Sequence, residues 1–158
     1  MTVFQVIAII KKLCMVVIDS GIVFDFPDSW GRFTEGSRCV FHTPRREEII
    51  VSASRLAGDG PAAERAQALE RIFENGLEAA RRGSAAPDLR VTKPLAEEPN
   101  ISKLRCATVL AQAIADDAFF GQAVIQHPRG VVFLTYEAPF VNGAEQTFYD
   151  LLKRIHES

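Results

Sequence analysis

The sequence predicts a single α+β domain in which a mainly antiparallel β-sheet packs against a long central helix and a C-terminal helix. Short runs rich in β-branched and aromatic residues are separated by turn residues along most of the chain. Two segments repeat apolar residues at helical spacing. The predicted order is a hairpin, further strands, a long helix, a three-strand meander and a closing helix, which is typical of an antiparallel sheet.

Residues 1–14 are predicted to form an N-terminal extension or extra element, and residues 15–158 the α+β domain. The extension begins with an apolar run, but Lys11 and Lys12 follow that run, whereas a secretory signal carries its positive charges first. The run is also too short to span a bilayer. We therefore expect a cytoplasmic protein. Membrane association is not expected, although a tether in the extension is an alternative.

The first part of the domain is predicted to hold strands and one long loop. Residues 15–26 form a hairpin, because two β-branched arms flank a run of turn residues. Pro27 ends the second arm, since it cannot donate to a ladder. Residues 27–37 are rich in turn residues and are predicted to be a loop. Two further strands are expected over residues 38–43 and 46–56.

The clearest predicted element is a helix over residues 61–83. Leu69, Phe73 and Leu77 recur at helical spacing and form one apolar stripe. Two arginines in the last turn interact favourably with the negative, C-terminal end of the helix dipole. Gly83 is typical of the residue that ends a helix. This helix is expected to bury its stripe against the sheet.

The second half of the chain holds one ambiguous segment. Residues 84–100 contain three prolines and are predicted to be mostly loop, with a short strand at their LRVT sequence. Residues 103–115 fit a helix by their alanines and a strand by their alternation, and both alternatives stay open. Strands are predicted over 119–126 and 131–137, followed by an amphipathic helix over 141–158.

The ionisable and nucleophilic residues show no familiar catalytic or metal-binding spacing. Cys39 and His42 are three residues apart on a predicted strand, so they face opposite sides of the sheet. His127 and His156 are expected to be solvated. We therefore expect no enzymatic activity, no metal and no cofactor.

The composition of the chain indicates which partners and which cellular compartment to expect. The formal charge is −2 and the pI is about 5.9, without the basic stripe that phosphate contact needs, so nucleic acid is not expected as a partner. The three cysteines Cys14, Cys39 and Cys106 are widely spaced, which fits unpaired thiols in a reducing compartment. All three are expected to be inert and mostly buried.

The predicted partner-binding residues are aromatic or arginine side chains near strand ends. Trp30 and Arg32 lie in the predicted loop, and these two residue types dominate binding hot spots. A lid that packs on the open edge of the sandwich is the alternative role of Trp30. Phe33, Phe119 and Phe120 complete the predicted site, and core positions are the alternative for the Phe119–Phe120 pair.

The stretch FDFPDSW (24–30) and the final strand and helix, GQAVIQHPRGVVFLTYEAP and EQTFYDLLKRI, resemble the family that shares the fold of PsbP, the yeast Ran-binding Mog protein and DcrB. In size the chain looks most like the Eag-type chaperones of bacterial type VI secretion. That resemblance implies a non-enzymatic protein that binds a secretion effector on the concave face of its sheet, with a homodimer as a further possibility. Cytosolic immunity proteins, which bind a cognate toxin, are similar in size and acidity. The family implies no common catalytic residue.

A small-molecule-binding domain or an enzyme is the rival hypothesis. It requires a pocket between sheet and helix, lined by Phe24, Phe26, Cys39 and Tyr136. A cavity with convergent polar groups would favour it over a protein-binding surface.

Overall fold

The computed structural model describes residues 13–19, 22–54, 62–83, 86–98, 104–127 and 130–157. Within these ranges the chain forms antiparallel strands, and it also forms two helices. The strands are β1 (Leu13–Asp19), β2 (Ile22–Pro27), β3 (Gly31–Glu35), β4 (Arg38–His42), β5 (Glu48–Ser54), β6 (Arg90–Glu97), β7 (Arg105–Ala113), β8 (Ala118–His127), β9 (Gly130–Ala138) and β10 (Ile155–Glu157), and the helices are α1 (Ala62–Gly83) and α2 (Ala144–Leu152).

The strands form two sheets. A seven-stranded sheet has the order β3-β4-β5-β9-β8-β7-β6, and a three-stranded sheet has the order β1-β2-β10. Every pairing in both sheets is antiparallel. This architecture confirms the predicted α+β class.

The ambiguous segment 103–115 contains strand β7. Residues 106–111 are all buried because β7 lies inside the larger sheet and is covered on both of its faces. Burial on both faces outweighs the modest helix preference of the alanines. The predicted hairpin at 15–26 is confirmed by the pairing of β1 with β2, and the meander by the pairing of β7, β8 and β9.

Three expectations from the sequence are wrong. Residues 27–37 are not all loop, since β3 pairs in continuous register with β4. The short LRVT strand is the start of the eight-residue β6. The C-terminal helix ends at Leu152, after which Ile155 pairs with Phe24 of β2. In each case the pairing partner lies far along the chain or across a tight turn, so local composition does not reveal it.

The predicted N-terminal extension is only partly described. Leu13 and Cys14 belong to β1 and pair with Pro27 and Phe26, so these two residues extend the first hairpin. The rest of residues 1–14 lies outside the described residues.

The main core lies on one side of the seven-stranded sheet, which we call the core face. The three-stranded sheet and α2 cover it. Phe24 contacts Phe41 with ring centroids 5.2 Å apart, and Phe148 of α2 stacks near Tyr136 at 6.4 Å. Gly121 permits this packing, because a Cβ there would lie 2.7 Å from the ring of Phe148.

Helix α1 lies on the opposite side, which we call the helix face. Phe73 packs with Val109 and Val124, while Leu77 packs with Phe120. The helix therefore covers strands β7 and β8. At Gly76 the helix comes so close to the sheet that a Cβ would lie 2.3 Å from Oε1 of Gln122.

We expect Gly76→Ala to destabilise the fold by roughly 1–3 kcal/mol, because the added methyl overlaps a buried amide. Gln122 is only 7% exposed, so its side chain has little room to move aside. The gain in helix propensity, about 1 kcal/mol, does not offset this overlap. Gly83→Ala in the same helix is the matched control, since nothing lies within 4 Å of a Cβ there. Urea unfolding of both variants provides the measurement, and equal stability of the two would contradict the proposed close contact.

Candidate functional site

Part of the helix face remains uncovered by the described elements. We call it the open surface and define it by Phe33, His42, Glu48, Ile50, Thr135 and Glu137. Two rows of cross-strand neighbours build it. Phe33, Val40, Ile50 and Thr135 form the first row across β3, β4, β5 and β9. His42, Glu48 and Glu137 form the second row.

The exposure of the first row changes from the sheet edge inwards. Phe33 on the edge strand is 49% exposed, whereas Val40 beside it is 3% exposed. Ile50 and Thr135 are half-buried. The first row is therefore apolar in β3, β4 and β5 and ends in the polar Thr135, with the exposed ring of Phe33 at the edge of the sheet.

An aromatic contact joins the two rows. The rings of Phe33 and His42 lie 5.8 Å apart and nearly parallel, at 19°. Nε2 of His42 lies 4.0 Å from Oε2 of Glu48. The half-exposed phenyl ring thus borders directly on the ionisable row.

The ionisable row carries two carboxylates on directly opposed residues. Glu48 of β5 faces Glu137 of β9 in register. Burial and, second, the charge of Glu48 raise the pKa of Glu137. Like charges that face each other across a strand pair destabilise a sheet. A sequence that keeps such a pair at a partly exposed position breaks a local rule of stability, as functional sites often do.

We expect Glu137→Gln to stabilise the fold at neutral pH by roughly 0.2–1 kcal/mol, because it removes the like charge opposite Glu48. The pKa of Glu137 is higher in the folded protein than in the unfolded chain. Its ionisation therefore lowers the free energy of unfolding as the pH rises from the unfolded-state pKa through the folded-state pKa. The advantage of the variant should consequently disappear below about pH 4, where the acid is protonated in both states. Thermal unfolding from pH 3.5 to pH 8 measures this, with the exposed Glu74→Gln in α1 as the control. A constant difference between Glu137→Gln and the parent protein across this range would contradict the origin given for the raised pKa.

Trp30 and Arg32 lie on the other side of β3 from Phe33. Trp30 is half-buried, and its ring lies 6.3 Å from Phe41 and 5.6 Å from the guanidinium carbon of Arg154. It closes the rim of the main core, as in the alternative role considered above. Arg32 is exposed, with its guanidinium carbon 5.8 Å from the ring of Phe26. The structure therefore does not bring these two residues onto one face with Phe33.

Phe119 and Phe120 do not belong to an exposed patch. They are 2% and 1% exposed, on opposite faces of β8. Phe119 packs in the main core, and Phe120 packs under α1. Their predicted partner-binding role is wrong, since a partner cannot reach them while the domain is folded.

The residues assigned to the rival pocket form packed core. Phe24 and Tyr136 are fully buried, Phe26 is 4% exposed and Cys39 is half-buried. Phe26 contacts Phe41 with ring centroids 4.7 Å apart. This close packing of rings among the described residues does not support the rival hypothesis.

A buried polar pair lies at the end of that core. The Tyr136 hydroxyl donates a hydrogen bond to Oε2 of Glu47, and the Thr43 hydroxyl donates to Oε1 at 2.7 Å. Burial is the first cause, and the hydrogen bond to Glu47 the second, of a raised Tyr136 pKa. The tyrosine thus stays a neutral donor, and both oxygens of the buried carboxylate are satisfied, which burial requires.

The nucleophile and base candidates are separated. Cys39 and His42 lie on opposite faces of β4, as their spacing predicts, because β4 continues in unbroken register between them. Cys106 is buried, and burial raises the pKa of its thiol to about 12. It therefore stays protonated near neutral pH. In the described part of the chain, no group of three or more His, Cys, Asp and Glu side chains is arranged to hold a metal ion.

His156 is not simply solvated, contrary to expectation. Its Nε2 lies 2.7 Å from Oδ2 of Asp25 and its Nδ1 lies 2.9 Å from the Glu157 carbonyl oxygen. These two contacts, the backbone contact first, raise the pKa of His156. The pair fastens β10 to β2. The side chain of His127 lies outside the described residues.

None of the described helices is long and apolar enough to cross a membrane.

Sequence patterns did not identify most of the open surface. His42, Glu48 and Glu137 each lie at or next to one end of a strand, so each resembles an ordinary solvated terminus of a strand. Only the pairing order of β4, β5 and β9 brings them into one row. The available signal was the period-two pattern, which places Ile50 and Glu48 on the same side of β5.

The sequence matches no protein-family model and no curated protein. Several solved structures nevertheless share its fold. The cyanobacterial PsbP protein CyanoP from Synechocystis sp. PCC 6803 superposes with a TM-score of 0.67 at 14% identity, over 93% of each chain. The Ran-binding protein Mog1p of Saccharomyces cerevisiae gives a TM-score of 0.57 at 12% identity, over 91% of this chain and 94% of Mog1p.

LpqN, which is involved in cell envelope biogenesis of Mycobacterium tuberculosis, gives a TM-score of 0.52 at 15% identity, over 100% of this chain and 98% of LpqN. At such low identities these likenesses establish the fold and not the function. The predicted PsbP- and Mog1-like fold is thereby confirmed. The finer resemblance to Eag-type chaperones has no support among these structures.

Proposed function

We propose that this chain is a non-enzymatic protein that binds another protein through the open surface. The observation that carries the proposal is the half-exposed Phe33, which stands at the edge of a partly uncovered sheet face, in the same row as Ile50 and beside His42 of the ionisable row. Aromatic side chains are enriched in protein interfaces, where they fill pockets on the partner.

Charge complementarity defines the partner's contact segment. Glu48 and Glu137 offer two adjacent carboxylates on a surface that also presents apolar side chains. A lysine or arginine of the partner, flanked by apolar residues, would relieve their repulsion on binding. The proposed partner is therefore a protein with a basic and apolar segment.

A secretion effector or a toxin is the partner class that the resemblance described above implies. The chain would then act as an effector chaperone or as an immunity protein. An open sheet face suits both roles, since it offers a preformed surface. Trp30 and Arg32 belong to this proposal as rim residues, reached by a partner that extends around the edge strand β3.

The test uses the product of the gene next to that of this chain, co-expressed with it and purified as a complex. We expect Phe33→Ala to weaken the affinity at least about fivefold, which corresponds to about 1 kcal/mol, a loss that only a minority of interface side chains show on truncation. Glu137→Lys should weaken it by at least a similar factor, because it places a like charge against the partner's basic residue. Isothermal titration calorimetry measures both effects.

Two variants far from the open surface are matched controls. Val91→Ala shortens a side chain of comparable exposure, 46%, on the opposite edge strand. Glu74→Lys reverses an exposed charge on α1. Affinities that fall equally in the controls and in the site variants would contradict the proposed surface. Absence of any complex with the neighbouring gene product would contradict the proposed partner.

A further inference from the structure

Strand β3 is an exposed edge of the larger sheet. All five of its residues are exposed, and among the described strands β4 alone pairs with it. Its outer side therefore presents backbone groups that no described strand pairs with, and an edge of this kind can accept another strand.

The turn after β3 shows which backbone groups point outwards. Glu35 and Arg38 are paired across the two-residue turn Gly36–Ser37, where Gly36 has a φ of 61°, as the first position of a type II′ turn requires. Such a turn is closed by a pair that exchanges both backbone hydrogen bonds, and the bonding alternates along an antiparallel ladder. Gly31, Phe33 and Glu35 therefore bond to β4, whereas Arg32 and Thr34 direct their N–H and C=O groups outwards.

The opposite edge of the sheet is protected. Strand β6 contains Pro94, and its register with β7 shifts twice, between Val91 and Lys93 and between Lys93 and Ala96. Proline and irregular register are devices that prevent strand addition. Strand β3 contains no proline and its register with β4 does not shift. It can therefore pair with β3 of another copy, whereas a regular ladder with β6 cannot form. Such a contact closes as a two-fold dimer and does not propagate.

We propose that β3 pairs antiparallel with β3 of a second copy of this chain, in a register centred on Phe33. In this register Arg32 of one copy faces Thr34 of the other, and each pair exchanges two backbone hydrogen bonds. All the outward-directed groups of both strands are then satisfied.

Side-chain complementarity favours this occupant and this register. The two half-exposed Phe33 rings meet as a non-hydrogen-bonded pair, where cross-strand side chains come closest. Glu35 faces Gly31, so no like charges are opposed. If the register were shifted by two residues in one direction, Arg32 would face Arg32 of the other copy. If it were shifted by two residues in the other direction, Arg32 would have no partner within β3 of the other copy.

The pairing would place the two open surfaces side by side on one continuous sheet face, between the two α1 helices. It does not rest on the proposed function, but it competes with it at one place, because a paired β3 keeps a partner from extending around this strand to Trp30 and Arg32. Five-residue strands bury less area than the roughly 1,600 Å² of a standard interface. The dimer is therefore expected to be reversible and to depend on protein concentration.

Variants of the full chain that carry one added cysteine, in a background in which Cys14, Cys39 and Cys106 are replaced by alanine, test the register. In Phe33→Cys the two Cα atoms would lie about 4.5 Å apart, within the range of a disulfide. In Arg32→Cys they would lie about 8 Å or more apart, beyond that range. Under mild oxidation with copper phenanthroline we expect Phe33→Cys to form a covalent dimer and Arg32→Cys and Val91→Cys to remain largely monomeric. Equal or faster cross-linking of Arg32→Cys than of Phe33→Cys would overturn the register.

Thr34→Pro tests the backbone pairing itself. It removes an outward N–H and leaves the bonds to β4 in place, so the domain should keep its circular dichroism spectrum. Sedimentation equilibrium should show a concentration-dependent dimer for the parent protein and at least a tenfold weaker one for Thr34→Pro. A parent protein that stays monomeric up to millimolar concentration and whose Phe33→Cys variant does not cross-link would overturn the proposal.

Discussion

At Gly121 of strand β8, the ring of Phe148 lies where a side chain would otherwise stand, 2.7 Å from the position of a Cβ. One residue further along, Gln122 points to the other side and meets helix α1 at Gly76. The two helices therefore approach the same strand from opposite sides. The absence of a side chain at Gly121 and at Gly76 permits both approaches. This double coverage makes β8 the buried centre of the fold, and it explains why Phe119 and Phe120 are both inaccessible.

The position of α1 over β7 and β8 has a consequence for the rest of the sheet. A single helix is about 10–12 Å wide with its side chains, whereas neighbouring strands are about 4.8 Å apart, so one helix covers two or three strands. Among the described elements, no second helix covers the remaining strands on the helix face of the seven-stranded sheet. On this chain they carry Phe33 at the edge and the opposed pair of Glu48 and Glu137. The like-charge pair opposes folding stability. In the proposed function, the exposed ring and this pair both contact the partner.

The sequence predicts the class of the fold because its strongest signals are local. The apolar stripe of α1 and the β-branched run in β9 each identify an element without knowledge of its partners. The edge strand β3 was missed because its composition is that of a turn, and only its pairing with β4 makes it a strand. The open surface was missed for a related reason. Glu48 and Glu137 are 89 residues apart in the sequence and become neighbours only because β5 pairs with β9. Phe33 was identified because an aromatic residue in a polar stretch is itself a local signal.

The central claim is that the two faces of β5 differ, with the core face buried in the main core and the helix face partly exposed on the open surface. Ile49 and Ile50 of β5 test it directly, because they are neighbours in sequence and point to opposite faces. Methyl NMR relaxation in the presence of a soluble, uncharged gadolinium chelate measures how closely solvent approaches each side chain. The structure predicts clearly greater relaxation enhancement for Ile50, which is half-buried, than for Ile49, which is 0% exposed. Similar enhancement of the two methyl groups, whether strong or weak, would contradict the claim.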